Sequence, residues 1–170
     1  MSNTLPVMLK ALRLPTINQH YDSYQQQAIE KAWSHSEYLS KLCEQEVAKR
    51  YQTRIINWTR EAKLSKGKSF STLQIQELPK SIQQTVIGLK DNTQWALQAD
   101  NVLLIGPSGV GKSHIAAALG HHLIEQGIRV KWLAATDLVQ QLQQAKKDLD
   151  LMTFMTRLDK YRVLIIDDIG

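Results

Sequence analysis

Gly106-Pro107-Ser108-Gly109-Val110-Gly111-Lys112-Ser113 is the stretch that decides the fold of this 170-residue chain. It fits the pattern G-x-x-x-x-G-K-[ST], in which glycines let the backbone curl until consecutive amide hydrogens converge on an anion. With glycine near 7% of residues, a chance match in a chain of this length has odds of roughly one in two hundred. Its flanks carry the same message. Val102-Leu103-Leu104-Ile105 is an apolar run of the buried-strand type and leads straight into the loop. Residues 113–126 read as a helix, with Ile115, Ala116, Leu119, Leu123 and Ile124 on one side and Gly127 as its stop. Strand, glycine loop, helix is the order a phosphate-binding loop needs, because the helix adds its positive end to the anion site. In that arrangement Lys112 would reach the β- and γ-phosphates of a nucleotide, and the Ser113 hydroxyl would ligate Mg²⁺.

A second half of the site lies 55 residues beyond Lys112. Val163-Leu164-Ile165-Ile166 is another buried-strand run, and it ends in Asp167-Asp168. Ligands of open α/β sheets sit beyond the carboxyl ends of the strands, so a carboxylate there faces the phosphate loop. Asp167 is the natural Mg²⁺ partner, and Asp168 is the candidate for polarising an attacking water. Between the two motifs, residues 128–133 read as a strand. Residues 136–147 read as a helix that Thr136 can cap, and residues 149–160 as a further helix. His114, His121 and His122 read as surface residues of the first helix. No Asn-Lys-x-Asp guanine-reading motif is present, which favours ATP over GTP.

The charge is unevenly distributed. Residues 1–98 hold 13 Lys+Arg against 8 Asp+Glu, whereas residues 99–170 hold 8 of each, so all of the net charge of +5 lies in the first part. Two modules follow from this: a basic helical segment over residues 1–65 and an α/β segment over residues 98–170. Residues 66–97 form a linker and connecting helix, opened by the hinge-like Ser65-Lys66-Gly67-Lys68-Ser69 and interrupted again by Pro79. A single cysteine, Cys43, excludes a disulfide framework and a cysteine-rich zinc site. The apolar runs are far too short for a membrane span, and the N-terminus lacks the apolar core of a signal peptide, so a soluble cytoplasmic protein is expected.

In the basic segment, Ser34 and Glu37 have capping-box spacing at the start of a helix. Leu39, Cys43, Val47, Tyr51, Ile55, Trp58 and Ala62 then recur at helical spacing and predict one packing stripe. Lys49, Arg50, Arg54, Arg60 and Lys63 are the candidates for phosphate contact with nucleic acid; a solvated helix face accounts for them equally well.

The run from Asn101 to His114, together with Ala134-Ala135-Thr136-Asp137-Leu138-Val139 and Leu164-Ile165-Ile166-Asp167-Asp168-Ile169-Gly170, resembles the IstB family. These are ATP-binding helper proteins of insertion-sequence transposons, related to the bacterial helicase loader DnaC. The helical stretch from Glu37 through Arg50 to Ala62 is similar to the same family. The resemblance implies a P-loop NTPase of the AAA+ type preceded by a basic all-α segment. It also implies binding of ATP, Mg²⁺ and double-stranded DNA, assembly into a homo-oligomer, and direction of a cognate transposase to target DNA. By the same resemblance the residues of the glycine loop hold ATP, Asp167 is the Mg²⁺ carboxylate, and Asp168 stands where many relatives have glutamate. The family continues past the second motif with two more strands, a polar sensor residue and an arginine for the neighbouring subunit. The chain is therefore expected to be a truncated product, with an incomplete parallel sheet and little or no ATP turnover, although its parent would be an ATPase. The AAA+ order places the first strand between two strands that lie beyond Gly170, which leaves residues 102–105 without a ladder partner.

Other functions fit parts of the same sequence. A helicase loader requires the basic helices to grip a helicase rather than DNA, and an inactive remnant would bind nucleotide or DNA without hydrolysis. A small-molecule kinase would need a substrate lid after the second motif; the doubled aspartate and the basic front argue against it.

Overall fold

The computed structural model describes residues 4–169. Met1, Ser2 and Asn3 of the basic segment and Gly170 of the second motif lie outside the described residues. The chain divides into two units, Met1–Arg54 and Ile55–Gly170. The division falls inside one helix.

Helices α1 (Leu5–Ala11), α2 (Pro15–Glu30) and α3 (His35–Ala62) account for the first unit, α3 continuing into the second. The capping box forms as the sequence predicts: the Ser34 amide donates to Glu37 Oε2 at 2.7 Å, and the Glu37 amide donates to Ser34 Oγ at 3.2 Å. The packing stripe needs correction. Leu39, Val47 and Tyr51 are 59%, 66% and 42% exposed, and Cys43 is exposed as well. The inward positions lie one residue earlier, at Tyr38, Leu42 and Glu46, and Leu42 joins Leu9 and Ile17 in a small core. The Glu46 carboxylate is buried because it caps α2 from a distance of thirty residues. Its Oε2 accepts the amides of Thr16 and Ile17 at 2.8 and 3.2 Å, and its Oε1 accepts Arg50 Nε at 2.8 Å. Proline at the first position of α2 fixes its φ but supplies no side-chain cap, so the free amides take the carboxylate of another helix.

In the second unit the stripe does hold: Ala62 is fully buried, and Ile55 and Trp58 pack beside it against Leu64, Leu123, Ile124 and Val130. After α3 come a 3-10 turn at Ile75–Glu77, α4 (Lys80–Asp91) and the short α5 (Gln94–Leu97). Next in order are α6 (Lys112–Glu125), β1 (Val130–Ala134), α7 (Ala135–Lys147), α8 (Leu151–Leu158) and β2 (Val163–Asp167). The two strands are parallel, with Val130 opposite Val163 and Ala134 opposite Asp167, and α6 packs on both. Thr136 lies inside α7 rather than capping it; Ala134 stands at the cap position without a side-chain bond.

The first expected strand does not form. Residues 102–105 carry no ladder among the described residues, and Leu103 and Ile105 are 77% and 89% exposed. A strand exists through hydrogen bonds to a neighbour. The one sheet among the described residues is β1–β2, and this segment pairs with neither strand. Only Leu104 is folded in, packing on the cluster of Val86, Ile115 and Leu119.

Candidate nucleotide-binding site

The site is assembled where two periodicities meet. Along β2, side chains alternate between faces, and Val163, Ile165 and Asp167 are less exposed than Leu164 and Ile166. Val163 and Ile165 pack into the core beneath α6, so Asp167 is delivered to that same side. Along α6, Ser113 and Gly120 stand seven residues apart, two turns on one face. Gly120 meets β2 so closely that an added Cβ would lie 2.9 Å from Ile165 Cδ1 and 2.9 Å from Leu64 Cδ2. Two turns back, Ser113 Oγ donates a hydrogen bond to Asp167 Oδ1 at 3.3 Å. Two residues 54 apart in sequence are thus adjacent through the close approach at Gly120.

The loop itself has the backbone the glycines permit. Gly109 and Gly111 adopt φ of +82° and +92°, a region costly for any residue with a Cβ. Gly111 is the N-cap of α6, so the free amides of the first turn and the positive end of a 14-residue helix face the loop. Gly106, Pro107, Ser108 and Val110 are exposed around this end. Lys112 folds back over the loop, and its ammonium donates to the carbonyls of Gly106 and Pro107 at 2.8 and 2.7 Å. Those two bonds hold the ammonium against the first two residues of the loop.

Ser113 and Asp167 supply a hydroxyl and a carboxylate, the hard oxygen donors Mg²⁺ prefers. Among the described residues no group of three or more His, Cys, Asp or Glu could hold a metal by itself. Asp168 is exposed and follows the strand with φ of +57°, an unusual conformation for a residue with a Cβ.

The candidate nucleic-acid residues are distributed over both units. Lys49, Arg50 and Arg54 lie exposed on α3 in the first, and Arg60 and Lys63 lie exposed in the second. Arg50 is structurally committed: it pairs with Glu46 and also donates to the Arg13 carbonyl. A charge network that the sequence reading missed fastens the end of α3 to the sheet. Arg129 holds Glu61 with a two-pronged contact, at 2.6 and 2.7 Å from its Nη2 and 3.1 Å from its Nε. The Tyr161 hydroxyl donates to the same carboxylate at 2.8 Å, and Lys131 Nζ donates to the Glu61 carbonyl at 2.8 Å. The Arg129 guanidinium holds the Glu61 carboxyl below the usual carboxylate range, and burial pushes the Tyr161 hydroxyl up.

The three histidines of α6 also need correction. Each is half-buried and places Nε2 on a backbone carbonyl: His114 on Ser69, His121 on Ser65 and His122 on Lys90. The seven-residue interval between His114 and His121 was the available signal, since it puts both on one face of the helix.

Among the described residues, no helix is long and apolar enough to cross a membrane. The family described as IstB-like ATP binding protein matches residues 7–170. A Sinorhizobium fredii protein named as an insertion sequence ATP-binding protein is 39% identical over 166 residues, 98% of this chain and 56% of that relative. The ATP-binding protein of insertion sequence IS21 from Pseudomonas aeruginosa is 31% identical over 98% of this chain and 62% of its own length. That of insertion sequence IS5376 from Geobacillus stearothermophilus is 29% identical over 94% of this chain and 63% of its own length. The chain therefore spans less than two thirds of the length of these relatives. The family match extends over nearly the whole chain, and the chain belongs to the IstB-like ATP-binding protein family.

Proposed function

We propose that this chain is the ATP-binding portion of an AAA+ type helper ATPase of an insertion sequence, one that binds double-stranded DNA with ATP and directs a cognate transposase. The observation that carries the reading is the convergence of Lys112 over the loop with the Ser113–Asp167 pair beside it. The backbone N–H groups of residues 108–113 cradle the phosphates, and Lys112 turns its ammonium from the loop carbonyls toward the β- and γ-phosphates. Ser113 and Asp167 hold Mg²⁺, which when bound neutralises charge on the phosphate oxygens. Asp168 polarises the attacking water. Lys112 and Asp168 are thus the catalytic residues, and hydrolysis and homo-oligomer formation belong to the whole protein. The net positive charge of residues 1–98 supports contact with the phosphates of duplex DNA, with Lys49, Arg54, Arg60 and Lys63 as the contact candidates. Arg50 is the weakest of the set, because its guanidinium is already engaged.

Titration with Mg²⁺–ATP tests the core of this reading. Lys112 supplies the side-chain charge aimed at the terminal phosphates, so Lys112→Ala should weaken binding at least tenfold, about 1.4 kcal/mol. The substitution removes an ammonium at the loop mouth and leaves the core untouched. Equal titration curves for the two proteins would overturn the assignment.

A further inference from the structure

The segment between α3 and the 3-10 turn lies along α6, fastened to it by two histidines two turns apart. His121 Nε2 stands 3.3 Å from the Ser65 carbonyl, at the beginning of the segment. His114 Nε2 stands 3.3 Å from the Ser69 carbonyl and 3.1 Å from Thr72 Oγ1, in its middle. A carbonyl only accepts, so Nε2 carries the proton in both rings, an assignment that follows from the partners.

Thr72 is the centre of the contact. Its hydroxyl has one proton to give and two lone pairs to receive. It donates to the Gly67 carbonyl at 2.6 Å, accepts the Ser69 amide at 3.0 Å, and accepts His114 Nε2 at 3.1 Å. The Ser69 carbonyl is a second acceptor for the same hydroxyl at 3.0 Å, so Thr72 joins three groups of the loop and His114 at one point. The Thr72 and Leu73 amides donate to the Ser69 carbonyl at 3.1 and 3.0 Å, and the Ser69 and Ser71 hydroxyls stand 2.7 Å apart.

His114 sits in the first turn of α6, directly after Lys112 and Ser113. Whatever orders that turn also orders the donor that holds the loop. A donor on an already fixed turn loses less conformational freedom when it makes its bond, which couples the two sites without any large movement. We propose that residues 65–72 are a nucleotide-responsive strap, with His114 as the positioning residue that links its closure to phosphate occupancy of the loop. This inference rests on the ATP reading above. Binding linkage is reciprocal, so the factor by which ATP tightens the strap is the factor by which the strap tightens ATP.

The strap carries its own reporters. Lys66 is exposed and Lys68 half-buried, and trypsin cuts after each only when the loop opens. Cleavage after Lys66 and Lys68 is followed by mass spectrometry with and without saturating Mg²⁺–ATP, with cleavage at Lys31 and Lys41 of the first unit as internal control. ATP should slow the two strap cuts severalfold in the parent and leave the control sites unchanged. Thr72→Val keeps the shape and removes the hydroxyl. It should remove most of that protection and lower ATP affinity by no more than the same severalfold factor, within the scale of one neutral hydrogen bond. His114→Phe should behave likewise, and His114→Gln, which keeps a donor, should recover part of both effects. Absence of ATP binding in the parent overturns this inference together with the ATP reading. ATP binding without protection of Lys66 and Lys68 overturns the strap alone, as does Thr72→Val retaining full protection and affinity.

Discussion

Gly120 lets α6 approach β2 closely beside the Ser113–Asp167 pair, and replacing it with alanine should loosen that pair and the fold together. The added Cβ would stand 2.9 Å from Ile165 Cδ1, and 2.9 and 3.2 Å from the two Leu64 methyls. Carbon atoms in contact settle at about 3.5–4.0 Å, so something must give by about 0.6 Å or more. Two effects oppose each other. Alanine is a better helix residue than glycine by about 0.8–1.0 kcal/mol, whereas overpacking a core typically costs about 1–3 kcal/mol. The contacts are ends of side chains rather than backbone, which places the cost in the lower half of that range. A net loss of between about 0 and 1 kcal/mol follows. To the extent that α6 itself backs away from β2, Ser113 withdraws from Asp167, whose oxygens are now 3.3 Å apart. Denaturant melts measure the first effect, and ATP titrations with Mg²⁺ and with chelator separate the second. Affinity should fall severalfold with Mg²⁺ and change little in chelator, because the pair proposed to hold Mg²⁺, Ser113 and Asp167, spans the two elements. Gly120→Ala that is more stable than the parent by about the helix-propensity gain, with unchanged Mg²⁺ dependence, would refute the reasoning.

Three further outcomes follow from the charged contacts. Glu46→Ala leaves the buried amides of Thr16 and Ile17 without an acceptor and should cost about 2–4 kcal/mol, seen as faster hydrogen exchange at the start of α2; unchanged exchange there would rule out the long-range cap. Glu61, held below the ordinary carboxylate range by Arg129, stabilises the fold above its unfolded pKa of about 4.3 and loses that contribution as pH falls through its lower folded value. Denaturant midpoints should therefore decline below about pH 4.3, and Glu61→Gln should flatten that decline; parallel curves for the two proteins count against the Arg129 pairing. Lys49→Ala and Arg60→Ala should each lower the salt slope of duplex-DNA binding by about one, whereas Arg50→Ala should lower stability more than slope, and a salt-independent signal would remove the phosphate-contact reading.

What the sequence revealed, and what it hid, follow from one distinction. The glycine loop, the start of α3 and the β2–Asp167 junction are local: spacing, capping chemistry and two-residue alternation specify each, and each is found where it was read. The face of α3 was misread because its buried stripe includes a carboxylate. Hydrophobic periodicity cannot register Glu46 as inward, since its burial depends on amides that arrive from α2, thirty residues away. Residues 102–105 failed for the complementary reason. Their apolar pattern is that of a strand, but a ladder is a property of two segments, and none of the described strands lies beside this one. The histidines of α6 show the same dependence: as single residues they resemble a solvated face, and only the carbonyls of residues 65, 69 and 90 turn them into donors with partners. Partner-dependent burial of polar groups is therefore where reading from sequence stops in this chain. The candidate nucleotide site combines both kinds of determinant. Its residues are local and legible, while its 3.3 Å closure depends on a glycine whose necessity appears only once Ile165 and Leu64 are packed against it.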